Sequence, residues 1–397
     1  MEKVKNIPFS PPDITEEEIN AVIDVLKSGW ITSGPNLAKF EEEIKEYCKV
    51  NKAVALNSAT AAMELILKVL DIKEGDEIIT TPYTYTATAS VAVHRGILPV
   101  MCDVAKDSFY MDYDKLKSLI TDKTKVIMPV DYAGYPADYD RIKEILKELN
   151  REDIIISVDS AHSFGATYKG EKVGGQCDFH SFSFHAVKNL TTAEGGAITF
   201  NDNNFAGKED LYKEFKYTAL HGQSKDALSK MQAGAWEYDI LTDGFKCNMT
   251  DINAAIGRVQ LRRYEDMLKI RKAIFETYTR VLEKEDFSII PLYNDNEGTE
   301  SSYHLYTYRV KGFKEEDRNL LIKKLAEKGI STNVHYKPLP MLTLYKNLGY
   351  KIEDYPNAYA QYENEITLPV YSTLALEDAE YVAEETVKTI KEILSSK

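Results

Sequence analysis

Ser181-Phe-Ser-Phe-His-Ala-Val-Lys188-Asn-Leu-Thr-Thr-Ala-Glu-Gly-Gly196 is the stretch from which the rest of the chain is read. An aromatic, β-prone run from Phe179 to Phe184 delivers a single lysine. Small and hydroxylated residues follow, then Gly195-Gly196 and a new apolar strand, Ala197-Ile-Thr-Phe200. A lysine on a tight turn between two strands is poorly solvated, and desolvation lowers an amine's pKa. The neutral amine is a nucleophile that condenses with an aldehyde. Pyridoxal phosphate (PLP) chemistry needs such a lysine, a carboxylate for the pyridine nitrogen and donors for the phosphate. A lysine taken alone is ordinarily solvated and inert, so the weight falls on the company that Lys188 keeps.

Working outward, strand and helix alternate. Upstream lie the apolar runs Ala53–Leu56, Ile78–Thr80, Leu98–Asp103, Val126–Val130 and Ile154–Val158, separated by helical or turn sequence such as Ala61–Leu70 and Tyr139–Leu149. Continuous rather than alternating apolar strands predict a mainly parallel sheet covered on both faces. No GxGxxG follows a strand, which disfavours a dinucleotide-binding Rossmann enzyme. Toward the N-terminus, Thr15 and Glu18 read as a capping box opening a helix that ends at Ser28-Gly29. The loop Trp30–Pro35 comes next, its tryptophan either a ligand contact or a packed edge, and then a helix from Asn36 to Cys48. Downstream, apolar residues at helical spacing predict one long helix from Thr250 to about Lys284, with a domain boundary inside it near Arg263. The remainder reads as strand (Ser302–Val310), helix (Glu315–Lys328), strand (Ile330–Val334) and a last helix from about Leu376 to Ile393. The expectation is an α/β large domain over residues 1–262 and a smaller α+β domain over 263–397.

The composition narrows the partners. A net charge of −14 over 397 residues argues against nucleic acid or an anionic membrane surface. The four cysteines form neither a CxxC pair nor a zinc spacing, so no metal site is expected. No signal core or long apolar span appears, and a cytoplasmic protein is expected.

Several residues answer the needs of PLP. Asp159 ends the Ile154–Val158 strand, at the carboxyl edge where open α/β sheets bind ligands; there it either faces a protonated pyridine nitrogen or caps a helix. Asn57-Ser58-Ala59-Thr60 opens a helix whose unsatisfied N–H groups suit a phosphate, although capping uses the same residues. Ser183 could donate to that phosphate. Tyr85 could stack on the ring or fill the core, and His162 could reach the phenolic oxygen or be structural.

Taken in order, Ser-Ala-Thr (58–60), Thr-Tyr-Thr-Ala-Thr (84–88), Val-Asp-Ser-Ala-His (158–162) and the Lys188 block through Gly196 resemble the DegT/DnrJ/StrS family. That family comprises PLP-dependent nucleotide-sugar aminotransferases of the aspartate-aminotransferase fold, fold type I. The resemblance runs from Phe9 to about Leu394. Its wording around Lys188 and in Gly244-Phe-Lys-Cys-Asn-Met-Thr-Asp-Ile-Asn-Ala-Ala255 is most similar to the UDP-4-amino-4-deoxy-L-arabinose aminotransferase branch. The resemblance implies that Lys188 holds PLP, Asp159 partners the pyridine nitrogen, His162 the phenolic oxygen and Tyr85 the ring face. Ala59, Thr60 and Ser183 would hold the phosphate. It implies a homodimer whose sites borrow a residue from Gly244–Asn248, Lys246 or Asn248 being the candidates. It points to Thr32, Ser33, His221, His335 and Tyr336 for a keto nucleotide sugar, and to glutamate as amino donor in a ping-pong reaction through pyridoxamine phosphate. A cysteine desulfurase of the same fold and a non-catalytic PLP-binding regulator are the alternatives. The first needs a cysteine in a Gly/Ser-rich loop and the second a DNA-binding region, and neither is evident.

Overall fold

The structure is a computed structural model and describes residues 5–201, 210–225 and 236–397. Helix α1 (Glu16–Ser28) begins at the expected capping box. The Thr15 side chain accepts from the Glu17 N–H, and the Glu18 carboxylate takes the Thr15 N–H at 2.7 Å. Gly29, in the left-handed region at φ 74°, ends the helix. Proline at its first position starts α2 (Pro35–Cys48). The alternating part of the chain then runs β1 (Lys52–Leu56), α3 (Ala59–Val69), β2 (Glu77–Thr80), α4 (Ala87–Val93), β3 (Val100–Met101), α5 (Tyr113–Leu119), β4 (Thr124–Ile127), α6 (Tyr139–Glu148) and β5 (Ile155–Asp159). A small hairpin, β6 (Thr167–Tyr168) and β7 (Glu171–Lys172), precedes β8 (Phe179–Ser183), β9 (Gly196–Phe200) and α7 (Leu211–Thr218).

Seven strands form one sheet in the order β1-β9-β8-β5-β4-β2-β3. Only β9 runs against the others, pairing antiparallel with β1 and β8; the remaining pairings are parallel. Alternate residues of each strand enter separate apolar cores. Ala53, Ala55, Phe182 and Ala197 face one side, and Val54, Leu56, Phe179 and Ile198 face the other. Burial on both faces is what the continuous apolar runs encode. The register brings Asp159 opposite Ser181, and Gly196 opposite both Ser183 and Leu56. The carboxyl ends of β1, β5 and β8 therefore converge on the amino end of β9.

The expected single helix over 250–284 is two, α8 (Asp251–Arg262) and α9 (Tyr264–Leu282). Arg263 leaves helical geometry (φ −103°, ψ 5°) because its side chain is claimed elsewhere. It donates through Nε to Glu18 at 2.8 Å and pairs with Asp13 at 3.1 Å. A tertiary ion pair overrides a helical pattern that is itself unbroken. Beyond α9, β10 (Ser288–Ile289), β11 (Tyr306–Val310) and β12 (Glu365–Leu368) form an antiparallel sheet, packed by α9, α10 (Glu315–Glu327) and the C-terminal helix Leu376–Ser395. The expected strand Ile330–Val334 makes only single bridges, Ile7 to Ile330 and Asn333 to Thr367. Strand β11 starts four residues later than Ser302, since Ser302, Tyr303 and His304 turn toward the large sheet.

Candidate active site

A cavity of about 560 Å³ opens at the strand convergence. It is lined by Ala59, Thr60, Tyr85, Asp159, His162, Ser183, Lys188, His335 and Tyr336 among the residues singled out from sequence. The topology explains the meeting. Ser183 is the last residue of β8 and Asp159 the last of β5, while Lys188 lies on the β8–β9 connection. The first turn of α3 caps the end of β1.

Lys188 is half-buried within the cavity wall, and its amine makes no hydrogen bond to the described residues. Burial lowers its amine to about 8, and the Asp159 carboxylate pulls the other way. Asp159 is buried. Its Oδ2 accepts from the Thr88 hydroxyl at 2.6 Å and its Oδ1 from the Ala161 N–H at 3.1 Å. Burial raises this carboxyl, with those two donors and Lys188 opposing the rise. A carboxylate so placed lacks a cationic hydrogen-bond partner, and a protonated ring nitrogen supplies one. Ser58 caps α3, its hydroxyl accepting from the Ala61 N–H at 3.0 Å. The N–H groups of the first turn, at Ala59 and Thr60, have no partner within the helix and open on the cavity beside Ser183.

Tyr85 is 59% exposed, so its ring is free to cover a ligand. His162 is buried, with Nε2 3.1 Å from the Tyr336 hydroxyl and Nδ1 buried without a partner. Burial, reinforced by Lys188 and His335, holds His162 well below the usual imidazole range. His335 stacks on Phe9 (5.6 Å, 20°), and its ring Nδ1 lies 2.9 Å from the Thr367 hydroxyl. These residues fit PLP: an amine of lowered basicity, a buried carboxylate, a helix N-terminus, a free aromatic face and an orphaned imidazole nitrogen.

Sequence reasoning missed Thr88, Phe9, Ser10 and His304. A hydroxyl in the first turn of α4 gives no sign that it will reach Asp159. The Ser10 hydroxyl bonds the Val187 carbonyl at 3.3 Å, drawing the N-terminal segment over the lysine turn. Glu194 lies at the cavity rim, 3.6 Å from His185.

Thr32, Ser33, His221, Lys246 and Asn248 do not line this cavity. They form a second cluster. Lys246 bonds Asn248, whose amide donates to the Ser33 hydroxyl at 2.6 Å; the Thr32 carbonyl accepts from the Asp251 N–H; and the His221 N–H reaches the Phe245 carbonyl. Trp30, half-buried, closes over its own loop, its indole N–H donating to the Ser33 carbonyl at 2.9 Å.

A sequence model of the DegT/DnrJ/EryC1/StrS aminotransferase family matches residues 12–387. The chain belongs to that family. Spr1654 of Streptococcus pneumoniae, assigned as a sugar aminotransferase, is 50% identical in its pyridoxamine phosphate (PMP) form. It superposes with a TM-score of 0.93 over 98% of this chain and 100% of that one, and it has also been solved in a PLP form. The spore coat polysaccharide biosynthesis protein SpsC of Bacillus subtilis is 35% identical over 97% of both chains. PseC of Helicobacter pylori, an aminotransferase of pseudoaminic acid biosynthesis, is 30% identical with a TM-score of 0.87, over 98% of this chain and 100% of that one. The fold is therefore PLP fold type I, and PLP is the cofactor this family member uses. Among the described residues no helix is long and apolar enough to cross a membrane.

Proposed function

We propose that this protein is a PLP-dependent aminotransferase that moves an amino group from glutamate to a keto nucleotide sugar, with a UDP-linked 4-keto sugar as acceptor. The observation that carries the reading is the cavity in which the Lys188 amine and the Asp159 carboxylate meet beside the N-terminus of α3. Similarity to Spr1654, SpsC and PseC supports a sugar substrate, and the wording around Lys188 and Gly244–Ala255 supports the 4-amino-4-deoxy-L-arabinose branch.

When bound, PLP supplies an aldehyde and an electron-accepting ring. The chain supplies the rest. Asp159, anchored by Thr88 and the Ala161 N–H, would hold the ring nitrogen protonated. Ala59, Thr60 and Ser183 would hold the phosphate, and Tyr85 would lie against the ring. Lys188, with its basicity lowered to about 8, has a fraction of its amine neutral near neutral pH and can therefore take up and return a proton there. The Phe9–His335 stack and Tyr336 narrow the mouth toward the sugar.

The second cluster serves the neighbouring subunit's cavity in a homodimer, with Lys246 or Asn248 reaching the phosphate and Thr32, Ser33 and His221 the nucleotide sugar. Residues 1–262 form the PLP-binding domain and 263–397 the smaller one. The helix break at Arg263 and the separate apolar core around Tyr278 and Tyr306 support that division. A cysteine desulfurase is disfavoured because all four thiols are buried, and burial pushes Cys48 and Cys102 up to about 12, Cys247 up to about 11 and Cys177 well above the usual thiol range.

The test is a panel of keto nucleotide sugars read by glutamate consumption, with wild type and Lys188→Ala. Wild type turns over a UDP-4-keto sugar, and Lys188→Ala has neither activity nor the bound cofactor's visible absorption. A fully active Lys188→Ala protein ends the assignment. Consumption confined to a non-sugar keto acceptor ends the sugar part alone.

A further inference from the structure

Glu365 and Thr367 stand two residues apart on β12, so their side chains share one face of the strand, and both are buried. The loop that carries His335 is pinned to the same strand. Asn333 and Thr367 exchange backbone hydrogen bonds at 2.8 and 3.1 Å, which sets His335 beside Glu365. The His335 N–H donates to Glu365 Oε2 at 3.0 Å. The Thr367 hydroxyl lies 2.5 Å from Glu365 Oε1 and 2.9 Å from His335 Nδ1. Carboxyl, hydroxyl and imidazole thus make one continuous hydrogen-bonded chain. It ends at the cavity, which His335 lines, and His335 Nε2 has no partner among the described residues.

The Thr367 hydroxyl has one hydrogen and two neighbours, so it donates to one and accepts from the other. An ionised Glu365 can only accept. The hydroxyl then points at Oε1, Nδ1 carries the imidazole hydrogen, and Nε2 is a bare lone pair. In a protonated Glu365 the acid hydrogen belongs on Oε1, since Oε2 already receives the His335 N–H. That hydrogen points at Thr367, the hydroxyl turns to Nδ1, and the imidazole hydrogen sits on Nε2. Ionisation shifts each hydrogen one place, from Glu365 to Thr367, from Thr367 to Nδ1, and from Nε2 into the cavity. One proton leaves, and only Glu365 changes charge. Burial pushes Glu365 up to about 8 and His335 down to about 3, so near neutral pH the carboxyl is protonated and the imidazole neutral. The other groups facing Glu365 are Arg318 of α10, Arg309 of β11, and Tyr83, Tyr132 and Tyr336, whose phenols burial keeps neutral.

We propose that Glu365 and Thr367 are positioning residues that set the polarity of His335 Nε2: with Glu365 protonated, Nε2 donates to an oxygen of the keto sugar, and with Glu365 ionised it can only accept. This rests on the reading of His335 as a sugar contact. A donor at that place favours oxygens that carry no hydrogen, such as a carbonyl or ring oxygen, and a bare nitrogen repels them.

Long-range ¹H–¹⁵N spectra of the full-length protein separate the two imidazole tautomers and the imidazolium, and the chain has only seven histidines to assign. Wild-type His335 shows Nε2–H at neutral pH and Nδ1–H well above about 8. Glu365→Gln, whose amide keeps a donor beside Thr367, shows Nε2–H throughout, and Thr367→Val shows no pH step. A wild-type His335 that keeps one tautomer across this range, or turns into the imidazolium, overturns the proposal without any variant. A step of wild-type size in folded Glu365→Gln overturns it too. In turnover of a UDP-linked 4-keto sugar, the KM of wild type relative to Glu365→Gln rises about three- to tenfold over the same range, the loss of one hydrogen bond. The kcat ratio stays level, and the titration of Lys188, common to both proteins, cancels. A level KM ratio beside a clear tautomer step overturns the contact with the sugar. If no keto sugar is turned over while the tautomer step holds, the proposed function is what is wrong and the Glu365–Thr367–His335 relay stands.

Discussion

Replacing Thr88 with valine removes one hydroxyl from the deepest wall of the site and leaves the shape of the side chain. Thr88 and Asp159 are both buried, and the hydroxyl donates to Oδ2 at 2.6 Å while touching the Thr84 hydroxyl at 2.8 Å. A hydrogen bond to a charged group contributes about 1.5–3 kcal/mol, and the stranded Thr84 hydroxyl adds about 1 kcal/mol. The cofactor-free variant should lose about 2.5–4 kcal/mol near neutral pH by these figures. The pH dependence has a definite sign. Burial already raises the Asp159 carboxyl in the folded state. Its contribution is therefore fully present below the unfolded value near ~3.9 and is lost as pH rises through the folded value. Removing a donor to the ionised form raises the folded value further, so Thr88→Val falls more steeply with rising pH, and the gap to wild type closes toward acid. Urea unfolding at a series of pH values reads both magnitude and slope. The acid limb of the glutamate half-reaction should also move upward. A gap below ~0.5 kcal/mol at every pH, the range of an ordinary surface change, with an unmoved acid limb refutes the idea that Thr88 keeps Asp159 ionised.

Glu365 is wholly buried, accepting from the Thr367 hydroxyl and the His335 N–H, and burial pushes it up to about 8 against those donors, Arg318 and Arg309. Wild-type stability should therefore decline from the unfolded Glu value near ~4.3 through about 8, while Glu365→Gln gives a flatter profile in pH-dependent unfolding. In Gly196→Ala the new methyl would collide with the backbone of Ser58 and Ala59, where β9 meets the first turn of α3. Overpacking against backbone costs about 1–3 kcal/mol; a lower Tm and weaker PLP binding are expected, measured by thermal scan and equilibrium dialysis. Lys188→Arg keeps a cation but not a neutral amine near pH 7, so it should fold and bind phosphate yet show no glutamate-dependent spectral change.

Much of the sheet was legible because each strand is short, apolar throughout and bounded by small or turn residues, as in Ala53–Leu56 and Ile154–Val158. The lysine turn was legible because aromatic strand, lysine and Gly-Gly occur together. Gly195-Gly196 reads from sequence as a device for a sharp turn, and at Gly196 the need is close approach of two backbones instead. Local pattern failed where a distant side chain decided the outcome. Arg263 interrupts a sound helical repeat for Glu18 and Asp13, and Ser302–His304 leave the expected strand to meet Gly134, Asn189 and Arg271. Thr88 and His304 were invisible for the same reason, since each bonds a group far off in sequence. The five residues of the second cluster were picked out by resemblance, and none of them lines the cavity that this chain builds.

Glu18 closes the first helix with one carboxylate oxygen and receives Gln260 and Arg263 with the other, 242 and 245 positions further on. A ribosome releases the first helix long before either partner exists, and a carboxylate so engaged is buried only in their presence. The opening of the chain thus stays provisional until roughly two thirds of the polypeptide has been made, and β1, whose sheet neighbour is β9, waits in the same way. Synthesis from the amino end gives this molecule no early foothold there; the β1 edge of the large sheet is completed later than the β3 edge, whose partner β2 lies close by in sequence.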